Sequence, residues 1–141
     1  LHRAAAVSRS LPQLENGCIL LTLRLSASAA MTLELQTAYA DHPGVAAPVT
    51  LNLCTGEAPA DERSLLLPPD TPCTLRFELD SRQGLVTLTC GNTTELFRFD
   101  PERLPGVCCL NLWSTAGCCD VLRFVAIDRE DHTIPKKGTA P

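Results

Sequence analysis

The stretch CTLRFELDSRQGLVTLTCGNTTELFRF, residues 73–99, reads as three strands joined by two turns. Cys73, Leu75, Phe77 and Leu79 alternate with Thr74, Arg76, Glu78 and Asp80. Successive side chains of a strand point to opposite faces, so this period of two predicts a strand with one buried face and one wet face. DSRQG (80–84) then supplies Asp, Ser and Gly, residues that close turns. LVTLTC (85–90) predicts a second strand, and Gly91-Asn92 predicts a two-residue hairpin, because Gly takes the positive φ of a type II′ turn. The same alternation recurs upstream. MTLELQTAY (31–39) sets Met31, Leu33, Leu35, Thr37 and Tyr39 on one side, and PVTLNLCT (48–55) does the same with Val49, Leu51 and Leu53. STAG (114–117) is expected to join the last two strands. No run of ten residues keeps a helical period, and DPERLPG (100–106) has room for one short turn. Nine or ten strands at this spacing predict an all-β, antiparallel two-sheet sandwich.

The bulk properties narrow the function. The chain has 141 residues, enough for one domain with a real core, and 45% of them are hydrophobic. A formal net charge of −4 with scattered Lys and Arg argues against nucleic acid and anionic membrane as partners. CILLTLRL is the longest apolar run, far short of a bilayer span. Residues 1–12 are too polar for the apolar centre of a signal peptide, and the first residue, Leu1, fits a processed chain or a piece of a longer one. Prolines 43, 48, 59, 68, 69, 72, 101 and 105 are expected between strands, where a missing N–H does little harm. A single sandwich domain is expected over 1–128, and 129–141, where alternation stops, is expected to be an exposed tail or linker.

LPPDTPCTLRFELDSRQGLVTLTCGNTTELFRF (67–99) resembles the central meander of concanavalin A-like sandwiches of the lectin and glucanase type, and LPGVCCLNLWSTAGCCDVLRFVAID (104–128) resembles their closing hairpin. The same run is similar to the C-terminal sandwich of invertase- and levanase-type fructosidases and to sandwich modules of sialidases. The resemblance covers roughly residues 5–128. It implies a jelly-roll fold and a place among carbohydrate-active proteins. A shared fold does not carry an activity with it.

Four groups of residues are candidates for chemistry. The first is the set of eight cysteines. Cys73 and Cys90 lie near the open end of one hairpin, within reach of each other. Adjacent Cys108-Cys109 and Cys118-Cys119 point to opposite faces of a strand, and no C-x-x-C spacing is present, so zinc is not expected. Cys18, Cys54, Cys73 and Cys90 read as reduced apolar filler within strands, which favours a cytoplasmic location over an extracellular one. The second is Glu78-Leu79-Asp80-Ser81-Arg82-Gln83, the nearest approach to the Glu-x-Asp-x-x-Glu of β-glucan hydrolases; Gln83 replaces the third carboxylate and cannot act as an acid. The third is the histidines. His2 and His132 are terminal, His42 lies in a DHPG turn, and none suggests a triad. No catalytic residue, metal or cofactor is therefore expected.

The fourth is a polar strand face. Leu110 and Leu112 are expected inward, which leaves Asn111 and Trp113 together outside, with Arg76 and Glu78, and also Asn52 and Arg123, opposite buried rows of their own. An aromatic ring beside amide and charged groups suits a sugar, which has an apolar face and polar edges. Trp113, Asn111, Arg76 and Glu78 are thus the expected carbohydrate-binding residues. The function expected is a non-catalytic accessory sandwich that binds an oligosaccharide weakly or buttresses a neighbouring catalytic domain. An assembly module meeting another chain or an identical subunit is the alternative, and a glycan hydrolase in its own right comes third.

Overall fold

The computed structural model describes residues 6–56 and 63–129. They form β1 (Ala6–Leu14), β2 (Asn16–Leu25), β3 (Ala30–Ala38), β4 (Val45–Cys54), β5 (Ser64–Leu66), β6 (Cys73–Asp80), β7 (Leu85–Cys90), β8 (Thr93–Arg98), β9 (Val107–Ala116) and β10 (Cys119–Asp128). The front sheet has the order β1-β9-β3-β4-β5 and the back sheet β10-β2-β6-β7-β8. All neighbours run antiparallel except β4 and the short β5, which are parallel. The molecule is an all-β, two-sheet sandwich, as the alternation predicts, in the jelly-roll form that the resemblance implies.

The core lies between the sheets. Met31, Leu33 and Leu35 of β3, Val49, Leu51 and Leu53 of β4, and Leu110 and Leu112 of β9 face inward from the front. Ile19, Leu21, Leu23, Leu75, Phe77, Leu79, Val86 and Leu88 face them from the back. Each fully buried side chain of this size is worth about 1.5–3 kcal/mol over its exposed state, so the period-two pattern fixes both the strands and their register.

The connections follow the turn chemistry, with two differences. Gly91 has φ 57 and Gly84 has φ 61, the left-handed values that only glycine adopts freely. A Cβ on Gly84 would collide with the Phe99 carbonyl oxygen, so that turn needs glycine twice over. STAG is not a free turn: β9 runs through Ala116, and only Gly117 (φ 73) and Cys118 separate it from β10. Pro48 lies inside β4 rather than between strands. It is tolerated because the β3–β4 register slips between Leu35 and Thr37, leaving a place where no ladder N–H is needed.

The C-terminal end of β10 is pinned to the back sheet. The Arg129 N–H donates to the Asn16 carbonyl at 2.9 Å, which carries the β10–β2 contact one residue past Asp128, and 130–141 lie outside the described residues. The Arg129 guanidinium grips Glu78 from one side, with Nη2 donating to Oε1 at 3.1 Å, while Arg76 Nε donates to the same oxygen at 2.6 Å. Hydrogen bonding from Arg129 holds the Glu78 carboxyl below its ordinary range, reinforced by Arg76 and opposed by partial burial. Beneath it Cys18 is wholly buried, and burial followed by the charge of Glu78 pushes its thiol up.

Two measurements check this architecture. Leu112→Ala should cost about 2–5 kcal/mol, and Asn111→Ala about 0.5–1.5 kcal/mol, in urea denaturation; the reverse order would mean that β9 presents its other face to the core. Glu78→Gln should be less stable than the native chain at neutral pH. A carboxyl whose folded pKa is lowered stabilises the fold above the unfolded value and loses that contribution as pH falls. The gap should therefore start to close below about pH 4.3 and vanish once the pH passes under the folded value. A gap that stays constant into acid would show that the Arg129 contact adds nothing.

Candidate functional site

Strand pairing lines up polar side chains across the outer face of the front sheet. Trp113 of β9 stands opposite Thr32 of β3, Thr32 opposite Asn52 of β4, and Asn52 opposite Ser64 of β5. The next row runs Ser8, Asn111, Glu34 and Thr50. Trp113 and Asn111 are both half-buried, because each lies on a central strand with neighbours on either side. Their inward neighbours Leu110 and Leu112 hold β9 down, so the outward pair is set by core packing.

Hydrogen bonds fix part of this face. Ser8 Oγ donates to Asn111 Oδ1, and Cys109 Sγ donates to the same oxygen at 3.5 Å. The amide nitrogen of Asn111 has no partner among the described residues, so a donor remains. Thr32 Oγ1 donates to Asn52 Oδ1 at 3.3 Å, and Gln36 Nε2 to Glu34 Oε1 at 3.1 Å. Beside the Trp113 row lies a depression of about 380 Å³ lined by Thr32, Thr50, Asn52 and Arg63.

Arg63 closes the edge of that depression and ties the two sheets together. It precedes β5 at the front edge and reaches β8 at the back edge. Nη2 donates to Glu95 Oε2 at 3.1 Å and to the Leu96 carbonyl, and the guanidinium sits 3.9 Å from the centre of the Phe97 ring. Nε and Nη1 have no partner among the described residues. The result is a shallow polar seat lined by hydroxyls, an amide and a guanidinium, with an indole in the adjoining row.

The residues expected from the sequence do not all meet here. Trp113, Asn111 and Asn52 share the front face. Arg76 and Glu78 lie on β6, on the outer face of the back sheet, with the core between them and Trp113. Arg123 lies on β10, also in the back sheet. Alternation says that a residue faces outward but not from which sheet; β6 pairs with β2 and β7, and β9 with β1 and β3, which separates the two pairs. Thr32, Thr50, Glu34 and Arg63 were not singled out. Thr32, Glu34 and Thr50 carried a legible signal as polar positions of alternating strands; Arg63 carried none, since nothing local places it over β8.

The other candidates resolve simply. Glu78 is bound by two arginines, and Asp80 Oδ1 accepts the Gln83 N–H at 3.3 Å to close the turn, so the pair is committed to structure. His42 stacks on Tyr39 with ring centres 4.2 Å apart, while His2 and His132 lie outside the described residues. Cys108 and Cys109 are both half-exposed, near a register slip in the β1–β9 pairing, rather than split cleanly between two faces. Cys109 belongs to the front sheet and Cys119 to the back, so the two Cys-Cys pairs form no joint site. Burial, then Asp120, pushes the Cys119 thiol up to about 11. Cys18 and Cys54 are buried, while Cys73 and Cys90 are half-buried against the core.

Comparison with known proteins bears on the fold. No protein-family model matches the sequence, and no characterised protein matches it in sequence. Solved structures do match. A tetrameric galectin from the ball sponge Cinachyrella sp. superposes with a TM-score of 0.63 at 13% identity, covering 87% of this chain and 99% of that one. A homodimeric agglutinin from chicken liver gives a TM-score of 0.59 at 8% identity, covering 86% of this chain and 99% of that one. A toad ovary galectin solved with thio-digalactose gives 0.59 at 10% identity, covering 86% and 98%. The likeness to fructosidase and sialidase modules finds no support in these structures. What they share with this chain is the concanavalin A-like β-sandwich in its galectin form.

Proposed function

We propose that the chain is a carbohydrate-binding module that seats its glycan on the outer face of the front sheet. The observation that carries this reading is the depression lined by Thr32, Thr50, Asn52 and Arg63 beside the row that contains Trp113. A pyranose presents a patch of C–H groups and a rim of hydroxyls. The indole supplies the apolar platform, and Thr32, Thr50, Asn52 and the free edge of Arg63 supply donors and acceptors for the rim. A toad galectin of the same fold was solved with thio-digalactose, which makes galactose-containing disaccharides the first ligands to try. Catalysis is not part of the proposal, because the one Glu-x-Asp pair is bound to arginines and a turn.

The exposed edge of β10 supports a second, compatible role in assembly. Val121, Leu122 and Ile127 are 37%, 48% and 44% exposed on a strand that, among the described residues, pairs on one side only, and an edge of this kind suits an added strand from an identical subunit or a neighbouring domain. Two of the similar structures are a homodimer and a tetramer.

Calorimetric titration with thio-digalactose and a panel of oligosaccharides tests the first role. Saturable binding is expected. Asn52→Ala and Trp113→Ala should each weaken it tenfold or more, about 1.4 kcal/mol, with the fold intact by circular dichroism. Arg76→Ala, on the other sheet, should change nothing; loss of binding in that variant, or indifference to Trp113→Ala, would move the glycan off this face. For the second role, sedimentation velocity should show self-association that Leu122→Glu reverses, and a monomer at all concentrations would rule out pairing of identical subunits.

A further inference from the structure

Of the four asparagines in the chain, only Asn92 has a hydroxyl residue two positions on, in Asn92-Thr93-Thr94, with no proline between. Asn16, Asn52 and Asn111 have Cys18, Cys54 and Trp113 at that place. Asn-x-Thr is the acceptor pattern for an oligosaccharide joined to the asparagine amide, and in a folded chain it belongs on a surface loop. Three residues are a short pattern, so the fold has to decide whether a glycan fits there.

The fold presents it at the tip of a hairpin. Gly91 and Asn92 form the turn between β7 and β8, which Cys90 and Thr93 close by pairing. Asn92, Thr93 and Thr94 are all exposed. The space around the turn is open, since a Cβ on Gly91 would meet nothing within 4 Å. Neither the Asn92 amide nor the Thr94 hydroxyl has a hydrogen-bond partner among the described residues. Asparagine often stands in such turns because it tolerates a left-handed backbone. Here Gly91 takes that conformation, with φ 57, and Asn92 does not. The turn therefore makes no demand that only Asn92 meets, and its side chain serves nothing in the fold.

We propose that Asn92 is an N-glycosylation site, which takes its oligosaccharide from a polyisoprenyl-pyrophosphate donor. Asn92 Nδ2 attacks C1 of the donor's first sugar. The Nδ2–C1 bond forms and the C1–O bond to pyrophosphate breaks. The pyrophosphate leaves with the electron pair, and Nδ2 gives up one proton. The Thr94 hydroxyl does not react; it is the group by which the transferase recognises the acceptor. The glycan then stands at the start of β8, the outer strand of the back sheet, where Leu96 is 44% exposed. An open strand edge invites pairing with another chain, and a bulky hydrated group beside it hinders that. The edge of β10, on the opposite side of that sheet, stays clear. The reaction takes place on the lumenal or outer side of a membrane, so the site carries an extracellular location with it, in place of the cytoplasmic one that reduced thiols favour.

Peptide mapping of the full chain recovered from its native source tests the site. Trypsin releases residues 83–98, which contain Asn92, as one peptide. Peptide-N-glycosidase in H₂¹⁸O turns a glycosylated asparagine into ¹⁸O-labelled aspartate, and the peptide should appear in that form only after the treatment. Recovery of the peptide with unmodified Asn92, before and after treatment, overturns the proposal. Translation of the full chain behind a cleavable signal sequence into microsomes then isolates the acceptor. One glycosidase-sensitive band shift is expected, lost completely in Asn92→Gln and in Thr94→Ala and restored in Thr94→Ser. No shift in the native sequence, or a shift that survives Asn92→Gln, overturns the assignment. Both side chains are exposed and unpartnered, so the circular dichroism of the variants should match that of the native chain.

Discussion

The seating of β9 between β1 and β3 is the constraint on which the front sheet depends. Ser8 and Asn111, hydrogen-bonded across that seam, are 103 residues apart in sequence. Closing the sheet therefore joins the two ends of the domain, and the loop entropy of such a pairing has to be offset by what it buries. The repayment comes from Leu110 and Leu112, which drop into the core opposite the back sheet. Without β9, β1 would have no partner in the sheet and β3 would become an open edge. The row Trp113, Thr32, Asn52 would lose its aromatic end. Core packing and the candidate site are two faces of one strand.

The sandwich was legible in the sequence because alternation is a local signal with a strong energetic basis. MTLELQTAY and CTLRFELD each commit several large side chains to one face, and a register shift of one residue would expose all of them. Gly84 and Gly91 were legible for a similar reason, since their φ values exclude most other residues. What stayed hidden is non-local. Nothing in CTLRFELD says that β6 joins β2 rather than β3, so Arg76 and Glu78 were grouped with Trp113 although the core separates them. Pro48 sits in a strand because the mismatch that excuses it is a property of the β3–β4 pair, invisible in either strand alone. The reach of Arg63 to β8 depends on which elements meet in space.

The two outer faces carry similar residue types, and what distinguishes them is how far those residues are already satisfied. On the back sheet Thr22 and Thr74 bond each other at 2.8 Å, Arg24 closes on Asp120, and Glu78 is held by Arg76 and Arg129. A ligand arriving there would have to break those contacts and replace them, gaining little. On the front sheet Asn111 has both its acceptor bonds made by Ser8 and Cys109 while its amide nitrogen stays open, and Arg63 uses one nitrogen on Glu95 and Leu96 while two remain. These groups are oriented by the bonds they make and available through those they do not. Orientation without saturation is what a recognition surface needs, because the ordering cost has been met before the ligand arrives. Arg63 adds a second consequence. Its stacking on Phe97 and its bond to Glu95 place one end of the same side chain in the back sheet, so a ligand that draws on its free nitrogens also draws on the contact that holds β8 to the front edge. On the proposed reading, glycan binding at the depression and the closure of that side of the sandwich would be coupled through a single guanidinium.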